Sequence, residues 1–147
     1  MRVAIGSDHA GFNLKQVIVE HLTETLGAEQ VLDLGPPSAA RCDYPDYASK
    51  VADAILNAEA QFGVLICGTG IGISIAANKR AGVRAALCHD ATTAGLARAH
   101  NDAQIVCFGA RIVGEQVATD IVDAFLAGAF EGGRHVGRIA KIHTLEG

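Results

Sequence analysis

The segment Cys67-Gly68-Thr69-Gly70-Ile71-Gly72 is where residue types and spacing point most directly to chemistry. Its three glycines let the backbone turn sharply and approach a ligand closely. It lies between the apolar run Val64–Cys67 and an apolar stretch beginning near Gly72, which places it between a strand and a helix. A helix N-terminus offers unpaired N–H groups and the positive end of a dipole. Such groups hold a phosphate, or an oxyanion formed during reaction, and they favour a thiolate over a thiol. Two readings of Cys67 compete. As a small buried hydrophobe it belongs to the core. At a strand end against a glycine loop it is a base or nucleophile, and its position favours that second reading.

In open α/β sheets, ligands bind outside the carboxyl ends of the strands. That rule adds Asp8-His9, His89-Asp90 and Gly109-Ala110-Arg111 to the candidate list. Each has a plainer alternative: Asp8 as a helix cap beside an exposed His9, for example, or His100-Asn101-Asp102 as a polar helix end. His100 and Asn101 together also supply an acid–base group and a neutral hydrogen-bonder suited to sugar hydroxyls. Arg134 and Arg138 are four apart and share one helix face. That face is either simply solvated or, with Arg111, a phosphate clamp. No carboxylate lies three or four residues from Arg138, and only Glu131 is so placed for Arg134.

Two cofactor readings fit less well. Gly68, Gly70 and Gly72 with Asp90 resemble a dinucleotide fingerprint, but the spacing is G-x-G-x-G rather than G-x-G-x-x-G. The loop also lies mid-chain, with too little sequence after it for a substrate domain. Six His with nearby Asp invite a metal, yet no H-x-x-x-H or H-E-x-x-H spacing occurs. His21 and His143 read as surface positions on helices.

The elements that must carry these groups follow from periodicity. Strands are expected at Arg2–Ser7, Gln30–Leu34, Gly63–Cys67, Val83–Cys88 and Gln104–Phe108. The runs VLIC and IVCF are apolar without alternation, as in parallel strands covered on both faces. Helical stripes recur at Leu14, Ile18, Leu22 and Leu26, at Val51, Ala52, Ile55 and Leu56, and at Val117, Ile121 and Phe125. Gly27 suits a helix end and Asp90 an N-cap. Repeated β-α-β units predict an α/β fold: a five-stranded parallel sheet with helices on both sides and right-handed crossovers. A tail helix is expected after Gly132-Gly133, as an arm for a partner subunit.

The chain has 147 residues, 50% of them hydrophobic, and a net charge of -4 from 12 Lys+Arg and 16 Asp+Glu. One domain over residues 1–147 is the expectation, since a chain of roughly 150 residues buries about 70% of its unfolded surface. The acidic balance argues against nucleic acid, which demands clustered cations. No run of about 18 apolar residues suggests a membrane span. The N-terminus reads as a strand rather than a signal peptide. The four Cys (42, 67, 88, 107) form no C-x-x-C pair, which predicts a reducing, cytoplasmic setting.

Taken together, SDHAGF, DYPDYA, ICGTGIGISIAANK, AHND, FGARIVG and EGGRHVGRI resemble the ribose-5-phosphate isomerase B family over essentially the whole chain. The resemblance implies a Rossmann-like three-layer α/β/α sandwich, a homodimer or tetramer with the site shared between subunits, no metal and no nucleotide cofactor. It assigns Cys67 as the base that moves a proton between C1 and C2 of an aldose phosphate, with Thr69 assisting, and His100 to ring opening. Asp8, His9, the loop Gly68, Thr69, Gly70, Ile71 and Gly72, and Asn101 would hold the sugar. Arg111, Arg134 and Arg138 would take the phosphate and nearby oxygens, and Tyr44 would shape the wall. One branch of the family carries a carboxylate base just after the glycine loop; here that position is Ile73, so the resemblance is to the Cys branch. Ribose 5-phosphate is the expected substrate. The alternatives are allose 6-phosphate, galactose 6-phosphate or a tetrose 4-phosphate, or a non-catalytic sugar-phosphate or nucleotide-binding module.

Overall fold

A computed structural model describes all of residues 1–147. Five strands alternate with helices: β1 (Val3–Ser7), α1 (Phe12–Leu26), β2 (Val31–Asp33), α2 (Tyr44–Leu56), β3 (Phe62–Cys67), α3 (Ile71–Asn78), β4 (Ala85–Leu87), α4 (Ala91–Asn101), β5 (Ile105–Gly109), α5 (Glu115–Ala127) and α6 (Arg134–Thr144). All pairings are parallel, in the order β2-β1-β3-β5-β4. The expected strands are all present, with ends shifted by one or two residues. β4 is the most shortened: Val83 N–H closes a turn on Arg80 O, and Arg84 N–H goes to the Gln104 side chain instead of a ladder.

Residues alternate between two apolar clusters, one on each face of the sheet. Phe62, Val64 and Ile66 of β3 face the cluster built with Leu14, Ile18, Leu22, Ile121 and Phe125. Leu65 and Cys67 face the other, with Val51, Ala52, Ile73 and Ala77. The three-layer arrangement follows from this two-sided burial. The predicted stripes hold at their centres and fail at their ends: Leu56 and Val117 are exposed, because the last turn of α2 and the first turn of α5 overrun the sheet. No helix is long and apolar enough to cross a membrane.

Two buried cations tie the layers together. Lys15 of α1 is fully buried, with Nζ 2.8 and 3.0 Å from the two carboxylate oxygens of Asp33 at the end of β2. Arg98 of α4 donates to Asp102 Oδ1 and Ala103 O, both at 2.8 Å, and stands 4.6 Å over the Phe62 ring. Asp90 caps α4, accepting from Thr93 N–H at 2.6 Å.

The Lys15–Asp33 pair generates an asymmetric prediction. Asp33→Ala leaves a buried ammonium with only Gln16 Oε1 at 3.3 Å, whereas Lys15→Met leaves a carboxylate 37% exposed to water. The expected loss for Asp33→Ala is about 3 kcal/mol, and it should clearly exceed that of Lys15→Met in urea unfolding at neutral pH. Equal losses would mean that the ammonium is not stranded.

Candidate active site

The carboxyl ends of β1, β3 and β5 meet around one cavity of about 790 Å³. Asp8, His9, Tyr44, Cys67, Gly68, Thr69, Ile71, Gly72 and Arg111 line it. Its floor is the glycine loop. Gly70 adopts φ +77°, a conformation L side chains rarely take. A Cβ there would sit 2.7 Å from the Phe108 carbonyl carbon, so the loop backbone lies directly on β5.

This turn aims the Gly70 N–H at Cys67 Sγ, 3.1 Å away. Ile71 N–H turns back to Thr69 Oγ1 at 3.2 Å, which leaves that hydroxyl free to donate outward. The amides of Gly72 and Ile73, in the first turn of α3, take no partner within the protein. Of the amides of Gly70, Ile71 and Gly72, only that of Gly72 is free; the other two are committed to Cys67 Sγ and Thr69 Oγ1. Cys67 is nearly fully buried within an apolar cluster and also lines the cavity. Ile73 is fully buried and faces the core.

The rim is held from both sides. Asp8 Oδ1 accepts from Gly11 N–H at 3.0 Å, so Asp8 does cap the turn into α1 while it lines the cavity. His9 Nδ1 lies against the Cys42 backbone, 3.1 Å from its O and 3.3 Å from its N. Arg111 is carried beside the loop by two backbone bonds, Ala110 N–H to Cys67 O and Arg111 N–H to Gly68 O. A Cβ on Gly68 would meet its guanidinium at 3.5 Å, and one on Gly72 would overlap the Tyr44 ring. His89 serves structure, accepting the Gly109 N–H at 3.2 Å.

His100, Asn101, Arg134 and Arg138 are not brought into this cavity. α4 starts at the carboxyl end of β4 and runs back for 11 residues, about 16 Å, so its last turn lies at the opposite edge of the sheet. Asn101 lines a separate cavity there, of about 560 Å³, with Arg84 and Ile142. His100 stacks on His135 of α6, ring centroids 4.5 Å apart and planes inclined 17°, and its Nε2 lies 3.7 Å from Glu131 Oε1. Ligand atoms of these three residues fall within 4.8 Å of one another. The near-parallel rings, however, direct their in-plane lone pairs side by side rather than toward one point, unlike a tetrahedral site.

A family model described as Ribose/Galactose Isomerase matches residues 3–142. The chain belongs to the ribose/galactose isomerase family. It is 52% identical over 145 residues to ribose-5-phosphate isomerase B of Escherichia coli K12, covering 99% of this chain and 96% of that one. Among solved structures, ribose-5-phosphate isomerase B of Clostridium thermocellum superposes with a TM-score of 0.96 at 47% identity, over 99% and 97% of the two chains. That of Mycoplasma genitalium with bound ribulose 5-phosphate gives 0.91 at 47%, over 99% and 95%.

Among its relatives, then, this member of the isomerase family carries its cavity where the strand-end rule placed it. The sequence reading missed Arg41, Cys42 and Asp43 of the β2–α2 loop and Asp46 in the first turn of α2, which also line the cavity. It also missed His135 beneath His100. The loop residues have no periodic pattern to place them; His135 was detectable only as the neighbour of Arg134, turned toward α4 rather than outward. Burial pushes the Cys42 thiol up from its ordinary range, so this second thiol at the cavity is held in its protonated form.

The Gly70 geometry is directly testable. Gly70→Ala forces a side chain into positive φ and against β5; the left-handed conformation alone costs about 1–2 kcal/mol. The variant should lose that much stability or more, and its Sγ donor with it. A crystal structure of the variant with the 68–72 loop unmoved would contradict this account.

Proposed function

We propose that this chain interconverts D-ribose 5-phosphate and D-ribulose 5-phosphate, using Cys67 as the base, within an assembly of at least two copies. The observation that carries the proposal is the Gly70 N–H donated to Cys67 Sγ at the wall of a cavity that also holds Arg111. A donor aimed at sulfur stabilises negative charge there, which is the state needed to take a proton from carbon.

The steps balance without a redox partner. His100 donates a proton to the ring oxygen as the anomeric hydroxyl loses one, giving the open-chain aldehyde. The Cys67 thiolate then takes the C2 proton, and the electron pair moves through C1 onto the carbonyl oxygen, forming an enediolate. The free Gly72 and Ile73 amides and the Thr69 hydroxyl are available to that oxygen at the positive end of α3. Removing one such donor costs about 3–4 kcal/mol in a comparable site. The proton on the C2 oxygen passes to the C1 oxygen. As the C2 carbonyl forms, the electron pair of the C1–C2 double bond takes the thiol proton at C1, giving the ketose and restoring the thiolate. Asp8, His9, Gly68, Ile71 and Asn101 hold sugar oxygens. Arg111, Arg134 and Arg138 bind the unreacting phosphate, fixing the C1–C2 bond over sulfur.

The need for a second copy follows from placement. Cys67 and His100 lie at opposite edges of one sheet, so one chain cannot apply both to one sugar. Ile71, Ile75 and Leu87, beside the glycine loop, are 51%, 56% and 41% exposed. A second copy covering this apolar strip can bring His100, Asn101, Arg134 and Arg138 to the cavity. Four free thiols suit a reducing compartment such as the cytoplasm.

Cys67→Ala is expected to abolish both isomerisation and solvent-deuterium incorporation at C2 of ribose 5-phosphate. Retained exchange would remove sulfur from the mechanism. Sharing of the site is tested by mixing. Cys67→Ala and His100→Asn chains, each inactive alone, should on co-refolding recover about a quarter of wild-type activity. Half of randomly formed two-fold dimers are mixed, and each mixed dimer carries one intact site of two. No recovery in demonstrably mixed dimers would confine the site to one chain.

A further inference from the structure

Ring opening requires a nitrogen of His100 to lie in line with the sugar ring oxygen. The torsion that sets a histidine ring plane is broad and roughly two-fold, so it does not define that plane by itself. Something packed on the ring must. We propose that His135 is a positioning residue for His100: its buried imidazole, stacked at 4.5 Å, fixes the plane in which His100 presents its nitrogens to the sugar.

Three observations support this. His135 is 6% exposed, the one buried residue of α6, although Arg134 and Val136 on either side are exposed. Its Nε2 is buried without any hydrogen-bond partner, so the residue is not held there by its own polar chemistry. The near-parallel contact with His100 accounts for its place, with the Phe130 ring 6.4 Å away. The surroundings keep the ring neutral: burial, then Arg134 and His100, push its proton affinity below the ordinary histidine range, Arg138 adds to this, and Glu131 alone opposes. A neutral ring can lie against His100 while His100 carries the proton, where a charged one would repel it. Glu131 Oε1 stands 3.7 Å from His100 Nε2, beyond hydrogen-bond distance, and Glu131 is tied to α4 by its N–H to Ala99 O at 3.0 Å.

The inference rests on the assignment of ring opening to His100, and the experiment separates the two. Ribose 5-phosphate is mostly a furanose. Ribulose 5-phosphate is acyclic, because its O5 carries the phosphate, so deuterium exchange at its C1 needs Cys67 but no ring opening. His135→Ala should lower kcat for ribose 5-phosphate about 10- to 100-fold, the scale of a roughly 1 Å misplacement. KM should stay within about threefold, since the lost interaction is not one of uniform binding. C1 exchange into ribulose 5-phosphate should persist. His135→Phe, which keeps a buried ring in the stack, should restore kcat to within about threefold of wild type.

Loss of C1 exchange together with turnover, or a His135→Phe enzyme as slow as His135→Ala, overturns the positioning role. So does a His135→Ala enzyme with wild-type turnover while His100→Asn is slow. If His100→Asn itself turns over ribose 5-phosphate at full rate, the ring-opening assignment has failed, and the role of His135 falls with it.

Discussion

The site depends on one backbone constraint: a left-handed glycine wedged between a strand and a sulfur. At Gly70 three requirements coincide. The chain must leave β3, lie against β5 with no room for a Cβ, and start α3 with its amide aimed at Cys67. Gly109 answers it from the strand side, where a Cβ would come within 2.6 Å of the Thr69 backbone. Because neither surface carries a side chain, loop and strand touch backbone to backbone. That contact brings Arg111 alongside Gly68 through two hydrogen bonds. The sulfur, the free amides and the nearest guanidinium are therefore positioned by a single close approach, not by three independent loops.

The buried charges work at longer range on the same problem. A desolvated ammonium or guanidinium is weak evidence of stability, since its desolvation offsets much of the attraction it gains. It does restrict how two elements can meet. Lys15 lets α1 settle on the sheet only where Asp33 ends β2, and Asp33 also accepts the Gly35 N–H that starts the loop toward the cavity wall. Arg98 stops α4 at Asp102, in the left-handed conformation that turns the chain into β5. The turn of helix that presents His100 is thus fixed by a cation packed under it.

Much of this was visible in the sequence because it follows period or local chemistry. The unalternating runs VLIC and IVCF required a sheet covered on both faces. The strand-end rule gathered Asp8, His9, Cys67 and Arg111 before any coordinates, and Asp90 caps its helix as its type and position suggested. What could not be read depends on contacts between distant segments. Strand order, the exposure of Leu56 and Val117, and the approach of Arg41 to the cavity depend on where elements end against one another. The use of the Gly70 amide was hidden for a different reason. The loop spacing identified donors but not which would turn inward to sulfur and which would stay free.

The split placement of the remaining polar groups is a consequence of the architecture. In a parallel α/β sheet every crossover helix runs back against the strands, so a residue at the end of such a helix lies a full layer length from the carboxyl edge. His100 and Asn101 end α4, and α6, which carries the arginines, meets that end through His135 stacked on His100. No side chain spans that distance, and no reordering of strands within one chain shortens it. The shared site proposed above would close that gap with a second copy, and under a two-fold axis each such contact is made twice, reciprocally. Val136, Ile142 and Leu145 of the tail are 55%, 44% and 85% exposed, so the segment that carries the arginines also carries exposed apolar surface. If the site is shared as proposed, ring opening by His100 and proton transfer by Cys67 on one sugar both require the assembled state.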